Sequence, residues 1–393
     1  MKFSHALVAV CLVAALPVRA VYAPIPEQEQ GKDLTVSVRA GLLYDSNIFG
    51  GATGAINSNV YQLAPRLTYN ASLTDQTFFS AIYGLGLDYI ERRPGTKLLD
   101  SHDLTLRLAH AFDQSRILDL TDTYMLARNP ESLLNGIPQN TDQSYARNQF
   151  DGSYSMPVTP KISLTYKARS ANMKYRNASL GRLLDRLENL YGVAGSYAIL
   201  PELKGVVEYR HLDVYYWTEG ENKNKRSDYL MGGVDYEAAK KLTLAARLGS
   251  EWRNRANEES TTGPFVEFSG RYRYAEKSVL AGGFAYTIDE ASDVARFTDQ
   301  EVQRYFVSVQ HSLTALIVAS VSVNYEPAVL QARRALGFVD LNEETTRFGA
   351  ALTYSPTKNW SISATYDWDH TSSDDPMRAT ERHRFGLNAS YTF

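Results

Sequence analysis

The sequence predicts an all-β protein, a transmembrane antiparallel β-barrel of about 18 strands, with 16 as the alternative count. Three observations carry this. Apolar and polar residues alternate with period two from residue 34 to the last residue, the connections between alternating runs are short and long in turn, and an exported leader precedes them. Strands of this kind have one apolar face and one charged face.

The first 23 residues read as a secretory signal. Lys2 supplies the positive start, Ala6 to Leu16 the apolar stretch, and Val18-Arg19-Ala20 or Val21-Tyr22-Ala23 the small residues that cleavage needs. The stretch is too short to cross a bilayer as a helix. The expected division is a signal peptide over 1–23, a short periplasmic segment over 24–33 and a barrel over 34–393. Cys11, the one cysteine, lies in the leader. That excludes a disulfide framework and a cysteine-bound metal from the exported chain. The net charge is −3, and loss of Lys2 and Arg19 would make it more negative. A basic nucleic-acid footprint is therefore missing, and no nucleic-acid partner is expected.

After the leader no run approaches the 18 apolar residues of a membrane helix, and the mean hydropathy is −0.32. A barrel escapes that test because half of each strand faces water. Trp360, Ile362, Ala364, Tyr366 and Trp368 alternate with Ser361, Ser363, Thr365, Asp367 and Asp369. Leu242, Leu244, Ala246 and Leu248 alternate with Thr243, Ala245, Arg247 and Gly249. The pattern predicts strands at 34–46, 58–72, 77–91, 101–113, 116–127, 144–156, 161–174, 185–199, 204–217, 227–238, 241–253, 262–275, 278–289, 301–313, 316–326, 343–355, 359–370 and 380–393. Short joints such as Pro157-Val158-Thr159-Pro160 and Pro356-Thr357-Lys358 alternate with long polar stretches such as 128–143, 218–226, 290–300, 327–342 and 371–379. Short periplasmic turns and long external loops are the arrangement of bacterial outer-membrane barrels.

A soluble all-β fold is the alternative. Its strands average about five to six residues, and those above are twice as long. Tyr61 and Tyr69, Tyr83 and Tyr89, and Trp360 and Trp368 stand near opposite ends of the apolar face, where aromatic girdles belong. The closing run Phe385, Leu387, Ala389, Tyr391 and Phe393 resembles the last-strand signal read by the barrel assembly machinery. The expected location is the cell outer membrane, with membrane lipid and lipopolysaccharide around the wall.

No hydrolase, nucleotide or zinc motif is present, so neither an enzyme nor a cofactor is expected. Gly50-Gly51-Ala52-Thr53-Gly54 follows a strand but opens no helix, and reads as an external loop. The histidines are scattered. His370, beside Asp367 and Asp369, reads as a rim residue or as half of an acid–histidine site.

Alternation places Arg107, Lys167, Arg169, Arg210, Arg247, Arg271, Arg273, Arg304, Arg347, Arg382 and Arg384 on the inward face. Basic residues outnumber acids there. Either they pair with facing acids and brace the wall, or they guide anions through it. Ala328 to Leu336 is helix-prone and holds Arg333 and Arg334, a candidate constriction loop or an external cap. In 116–127 the alternation would put Asp122 on the lipid side, which predicts a bulge or an end effect.

Tyr44-Asp45-Ser46-Asn47-Ile48-Phe49 ends the first strand and resembles a run found at that place in the β-barrel porin type 2 family. Gly50 follows, where a basic residue is expected. Some such barrels accompany exopolysaccharide synthesis and export. The resemblance thus implies an exit channel for an anionic polysaccharide and an export complex as partner, similar to the alginate exporter. The competing function is a plugged structural or adhesive barrel whose loops bind an external partner.

Overall fold

A computed structural model describes residues 33–127, 144–218, 223–238, 241–256, 260–291, 296–334 and 337–393. The signal expected over 1–23 and the loop expected over 128–143 lie outside the described residues. The strands are β1 (Leu34–Asp45), β2 (Ser58–Thr74), β3 (Thr77–Ile90), β4 (Leu98–Ala111), β5 (Ile117–Ala127), β6 (Tyr145–Pro157), β7 (Ile162–Tyr175), β8 (Arg186–Leu200) and β9 (Leu203–Tyr216). They continue as β10 (Lys225–Ala238), β11 (Leu242–Arg255), β12 (Thr261–Ala275), β13 (Ser278–Glu290), β14 (Phe297–Ser312), β15 (Ile317–Ala332), β16 (Leu341–Tyr354), β17 (Trp360–Ser373) and β18 (Thr380–Thr392). Every strand pairs antiparallel with its sequence neighbours, and β1 pairs with both β2 and β18. The 18-stranded sheet is therefore closed.

Local chemistry makes the short joints. Thr159 Oγ1 accepts from the N–H of Lys161 at 3.3 Å and of Ile162 at 3.0 Å. Thr314 does the same for Leu316 and Ile317, and Thr357 for Asn359 and Trp360. In the β4–β5 joint Asp113 accepts from Ser115 and Arg116. A side-chain oxygen that captures the amides two and three residues on holds a tight reversal. These joints define a turn end of the barrel, and the longer connections define a loop end.

The outer wall is apolar. Val207 leaves 62% of its surface uncovered and Leu248 63%. Large aliphatic side chains left so open by their own fold suit a hydrocarbon solvent. Aromatic rings cluster at its two rims. Tyr61 meets Tyr89 at 6.2 Å at the loop end, while Tyr69 meets Phe79 at 6.5 Å and Trp360 meets Tyr391 at 4.9 Å at the turn end. Tyr83, expected near a strand end, lies mid-strand, with its hydroxyl 2.8 Å from His102 Nδ1. Phe79 takes the rim position instead.

Three further expectations need correction. Ala328 to Ala332 continues β15 and pairs with both β14 and β16, so the helix-prone stretch is strand. Arg334 lies exposed at the tip of that hairpin, paired with Asp340 at 2.7 Å, and does not fold inward as a constriction; Arg333 follows the strand end, its N–H donating to the Arg296 carbonyl. β5 has no bulge: its register with β4 and β6 is unbroken, and Asp122 stays on the outer face. Conversely, α1 (Ala178–Leu184), capped by Asn177, occupies a connection where no helix was foreseen.

The last strand runs in register against the first, Tyr391 opposite Val38 and Leu387 opposite Leu42, and the Phe393 N–H donates to the Val36 carbonyl. Removing Phe393, or placing a charge there, is expected to reduce the yield of folded barrel without blocking export. The check is heat-modifiable migration of unboiled samples. On β11, Leu248→Arg, at mid-strand on the outer face, should cost about 2–4 kcal/mol of folding stability while Ala245→Arg on the inner face costs little. Urea titration of refolded barrel in lipid measures both, and equal costs would reverse the assignment of faces.

Candidate channel lumen

The inward positions carry the charge, and most of it is matched. Arg107 on β4 donates to both oxygens of Asp119 on β5, at 2.9 and 2.5 Å. Arg169 meets Asp151 at 2.6 Å and Arg247 meets Asp235 at 2.7 Å, each on the adjoining strand. Arg347 reaches Glu326 at 3.1 Å, Arg384 reaches Asp369 at 3.1 Å, and Arg304 is bonded to Asp289. Lys167 and Arg210 share Glu208, at 2.8 and 2.9 Å. Lys167 lies on β7 and Glu208 on β9, so their contact crosses β8 where Gly192 has no side chain to intervene. Between β5 and β8 the matched charges border a recess of about 130 Å³ lined by Asp119, Thr121, Asp151, Ser153, Lys167 and Arg169.

Arg271 and Arg273 differ. Both are exposed near the turn end of β12, and among the described residues neither side chain makes a hydrogen bond or ion pair. Period two puts them on one wall, about 7 Å apart. Lys204 and Arg39, also inward and exposed, likewise make no ion pair among the described residues. The nearest acid in register is Glu237, two strands from Arg271. The expected inward basic residues thus divide into a paired majority and a free pair.

The loop end is tied together. Arg253 of β11 is 1% exposed, donates to Glu251 at 2.7 Å, and is bonded to Asp299 of β14, which Arg255 also holds. Arg253 further donates to the Ile288 carbonyl, so the β13–β14 hairpin leans onto the inner side of β11. Arg378 donates to both oxygens of Glu343, at 2.8 and 2.9 Å, and Arg296 meets Asp375 at 2.9 Å across 79 residues of sequence. Two apolar clusters sit at the same end: Ile48, Val60, Ile90 and Leu99, and Ala291, Phe297, Leu330 and Leu341. Alternation did not single out Arg255, Arg378 or Asp299, because their partners come from loops and from non-adjacent strands.

The run Tyr44–Phe49 is a latch at the seam. Asp45 is 2% exposed, holds Arg382 of β18 through two nitrogens, and accepts from the Asn47 N–H at 2.9 Å. Ser46 N–H donates to the His383 carbonyl, and His383 N–H to Ser46 Oγ. Asn47 exchanges bonds with Gly51, turning the chain so that Ile48 enters the inner cluster.

Among the described residues the acid–histidine contact beside the last loop is His383 with Glu381 at 3.5 Å, and His370 does not meet Asp369. His370 stacks outward on Trp368 at 5.6 Å, whereas Asp369 points inward to Arg384. Other acid–histidine contacts occur on the outer face near the loop end. His102 meets Asp100 at 3.3 Å, and His211 lies between Asp213 at 3.2 Å and Asp228 at 2.8 Å. Each is bordered by a tyrosine, Tyr83 or Tyr209.

No family description matches the sequence, and no curated protein does. Solved structures resemble it at low identity. OpdL of Pseudomonas aeruginosa is 12% identical with a TM-score of 0.48, over 92% of this chain and 98% of that one. OccK3 (OpdO) of the same organism is 13% identical with a TM-score of 0.48, over 92% and 96%. OccAB3 of Acinetobacter baumannii is 10% identical with a TM-score of 0.48, over 92% and 99%.

Arg253→Ala would leave buried carboxylates short of their cation, and should cost about 3–5 kcal/mol, read as a lower urea midpoint. At the loop tips, the Arg296 side chain holds the Asp375 carboxyl below its ordinary value of 3.8, and the Ala332 N–H and Arg334 do the same for Asp340. Carboxyls lowered in this way stabilise the folded state fully above their ordinary value and lose that contribution as pH falls through the lowered one. Hydrogen-exchange protection relative to the intrinsic rate at Ala332, at 337–340 and at 373–378 should therefore hold from neutral pH to about 4 and fall only below it.

Proposed function

We propose that the chain is an outer-membrane channel whose lumen passes anionic or saccharide cargo. The observation that carries the reading is the pair Arg271 and Arg273, exposed on the inner wall with no ion pair among the described residues, where most other inward cations are matched by acids. A charge with no local partner acts on whatever enters, and a low-dielectric wall strengthens its field. An 18-stranded wall is wide enough for water and solute. The apolar outer belt and its aromatic rims support a place in the outer membrane, among lipid and lipopolysaccharide, reached through the barrel assembly machinery. The recess beside Asp119, Thr121, Ser153 and Arg169 offers carboxylate, hydroxyl and guanidinium groups together, a mixture that sugar hydroxyls can match. With the likeness of Tyr44–Phe49 to exopolysaccharide-associated barrels, this favours an acidic polysaccharide and an export complex on the periplasmic side.

A plugged barrel binding an external partner is favoured by one observation, the bonding of loops and hairpins across the loop end. Planar-bilayer recording separates the two, since a steady open current supports the channel and none supports the plug. For the channel, reversal potentials in a salt gradient should show anion preference that weakens as salt rises and screening shortens. Arg271→Gln with Arg273→Gln should reduce that preference and leave folding intact. A cation-preferring pore before mutation would overturn the reading.

A further inference from the structure

Hydrocarbon offers a polar group no hydrogen bond, so a polar side chain in the middle of a lipid-facing wall must be satisfied by the barrel or by another protein. Most outward charges, such as Asp213, Arg226 and Asp228, lie near the loop end of their strands and pair there. Asp122 is different. It sits at the centre of the 11-residue β5, opposite Leu106 and Phe150. Among the described residues its carboxylate meets one donor, Asn148 Nδ2 at 2.7 and 3.0 Å, and no cation.

The polar surface continues around the wall. Asn148 stands opposite Asn172, Phe150 opposite Ser170, and Ser170 opposite Asn189. Among the described residues the side chains of Ser170, Asn172 and Asn189 make no hydrogen bond, and Asn172 Oδ1 is buried without a partner. The Asp122 carboxylate on β5 thus keeps spare acceptor capacity, while on β7 and β8, across β6, the Ser170 hydroxyl and the Asn172 and Asn189 amide N–H groups donate to nothing among the described residues. Below them on the outer face Gly152 stands opposite Ala168, and these small residues let another wall approach.

We propose that a second copy of this chain packs on the outer face of β5–β8, about a two-fold axis along the bilayer normal that passes over β6. Such an axis sets β5 of each copy on β7 of the other. The Asp122 carboxylate then accepts from the Ser170 hydroxyl and Asn172 amide across the interface, twice by symmetry. An isologous contact requires this kind of self-complementary patch. The proposal rests on the membrane reading above but is independent of what the lumen carries.

The test is disulfide trapping in native outer membranes, in a Cys11→Ala background that leaves no other thiol. Gly152→Cys is tolerable, since an added Cβ meets only side-chain ends, Leu120 Cδ2 at 3.3 Å and the Phe150 ring at 3.5 Å. Ala168→Cys serves if Gly152→Cys lacks heat-modifiable folding. Expected on oxidation is a reducible species of twice the chain mass, no such species from Ala364→Cys on β17, and its loss when Asp122→Leu is added. Absence of the dimer, equal trapping at Ala364→Cys, persistence with Asp122→Leu, or a cross-link to a different protein would each overturn the second copy as occupant. Failure of the membrane reading shows separately, as absence of the chain from the outer-membrane fraction before any oxidant is added.

Discussion

The structure depends on one constraint, that no backbone N–H or C=O on the wall can be left to the surrounding medium. In water an open edge is an aggregation hazard, whereas in hydrocarbon it is prohibitive. The chain meets the constraint by returning β18 to β1, and the seam is reinforced beyond the ladder. Asp45 holds Arg382, and Ser46 and His383 exchange bonds just past the last ladder pair. The run that resembles a family signature is therefore explained by closure. Its acid faces inward to the arginine, its asparagine turns the chain, and its isoleucine enters the inner cluster.

Closure then dictates the charge pattern. With the outer face committed to apolar side chains, every other residue on each strand must tolerate a wet interior, and guanidinium groups and carboxylates fill it. Register decides which of them meet. Arg169 finds Asp151 directly opposite it, and Arg107 finds Asp119 two residues from its own register partner Thr121, each on the adjoining strand. Partly exposed pairs of this kind contribute little each. The buried set of Arg253, Glu251, Asp299 and Arg255 is another matter, since removing one member strands the others.

Strand positions were legible because the signals are backbone-level ones: a period of two, and joints built by Thr159, Thr314, Thr357 and Asp113. The inward face was legible for the same reason. β15 was cut short because Ala328-Val329-Leu330-Gln331-Ala332 is composed of good helix formers after Pro327, and pairing with β14 and β16 overrides that propensity. Pro327 lacks a ladder donor, and on its own would mark a strand edge. Which arginines are matched was not legible, since Lys167 reaches Glu208 only by crossing Gly192 and Arg253 meets Asp299 only because a hairpin leans inward. Asp122 was legible as an anomaly. A bulge was the cheapest local remedy, and the unbroken register excludes it.

That exclusion sharpens the contrast between the two ends and two faces of the wall. At the loop end, charges are drawn into pairs and the hairpins are held together. At the turn end, Arg271 and Arg273 stand free on the inner face. On the outer face one sector holds Asp122, Asn148, Ser170, Asn172 and Asn189, whereas outward charges elsewhere, such as Asp213, Arg226 and Asp228, pair near the loop end. Pairing is the outcome wherever the fold can bring an acid to a base within reach of one side chain. Residues that remain unmatched in a chain with 41 basic and 44 acidic side chains are not so for want of counter-charges. Among the described residues they are unmatched because of where the register puts them, and under the two proposals above a solute would complete the inner pair and a second copy of the chain the outer patch.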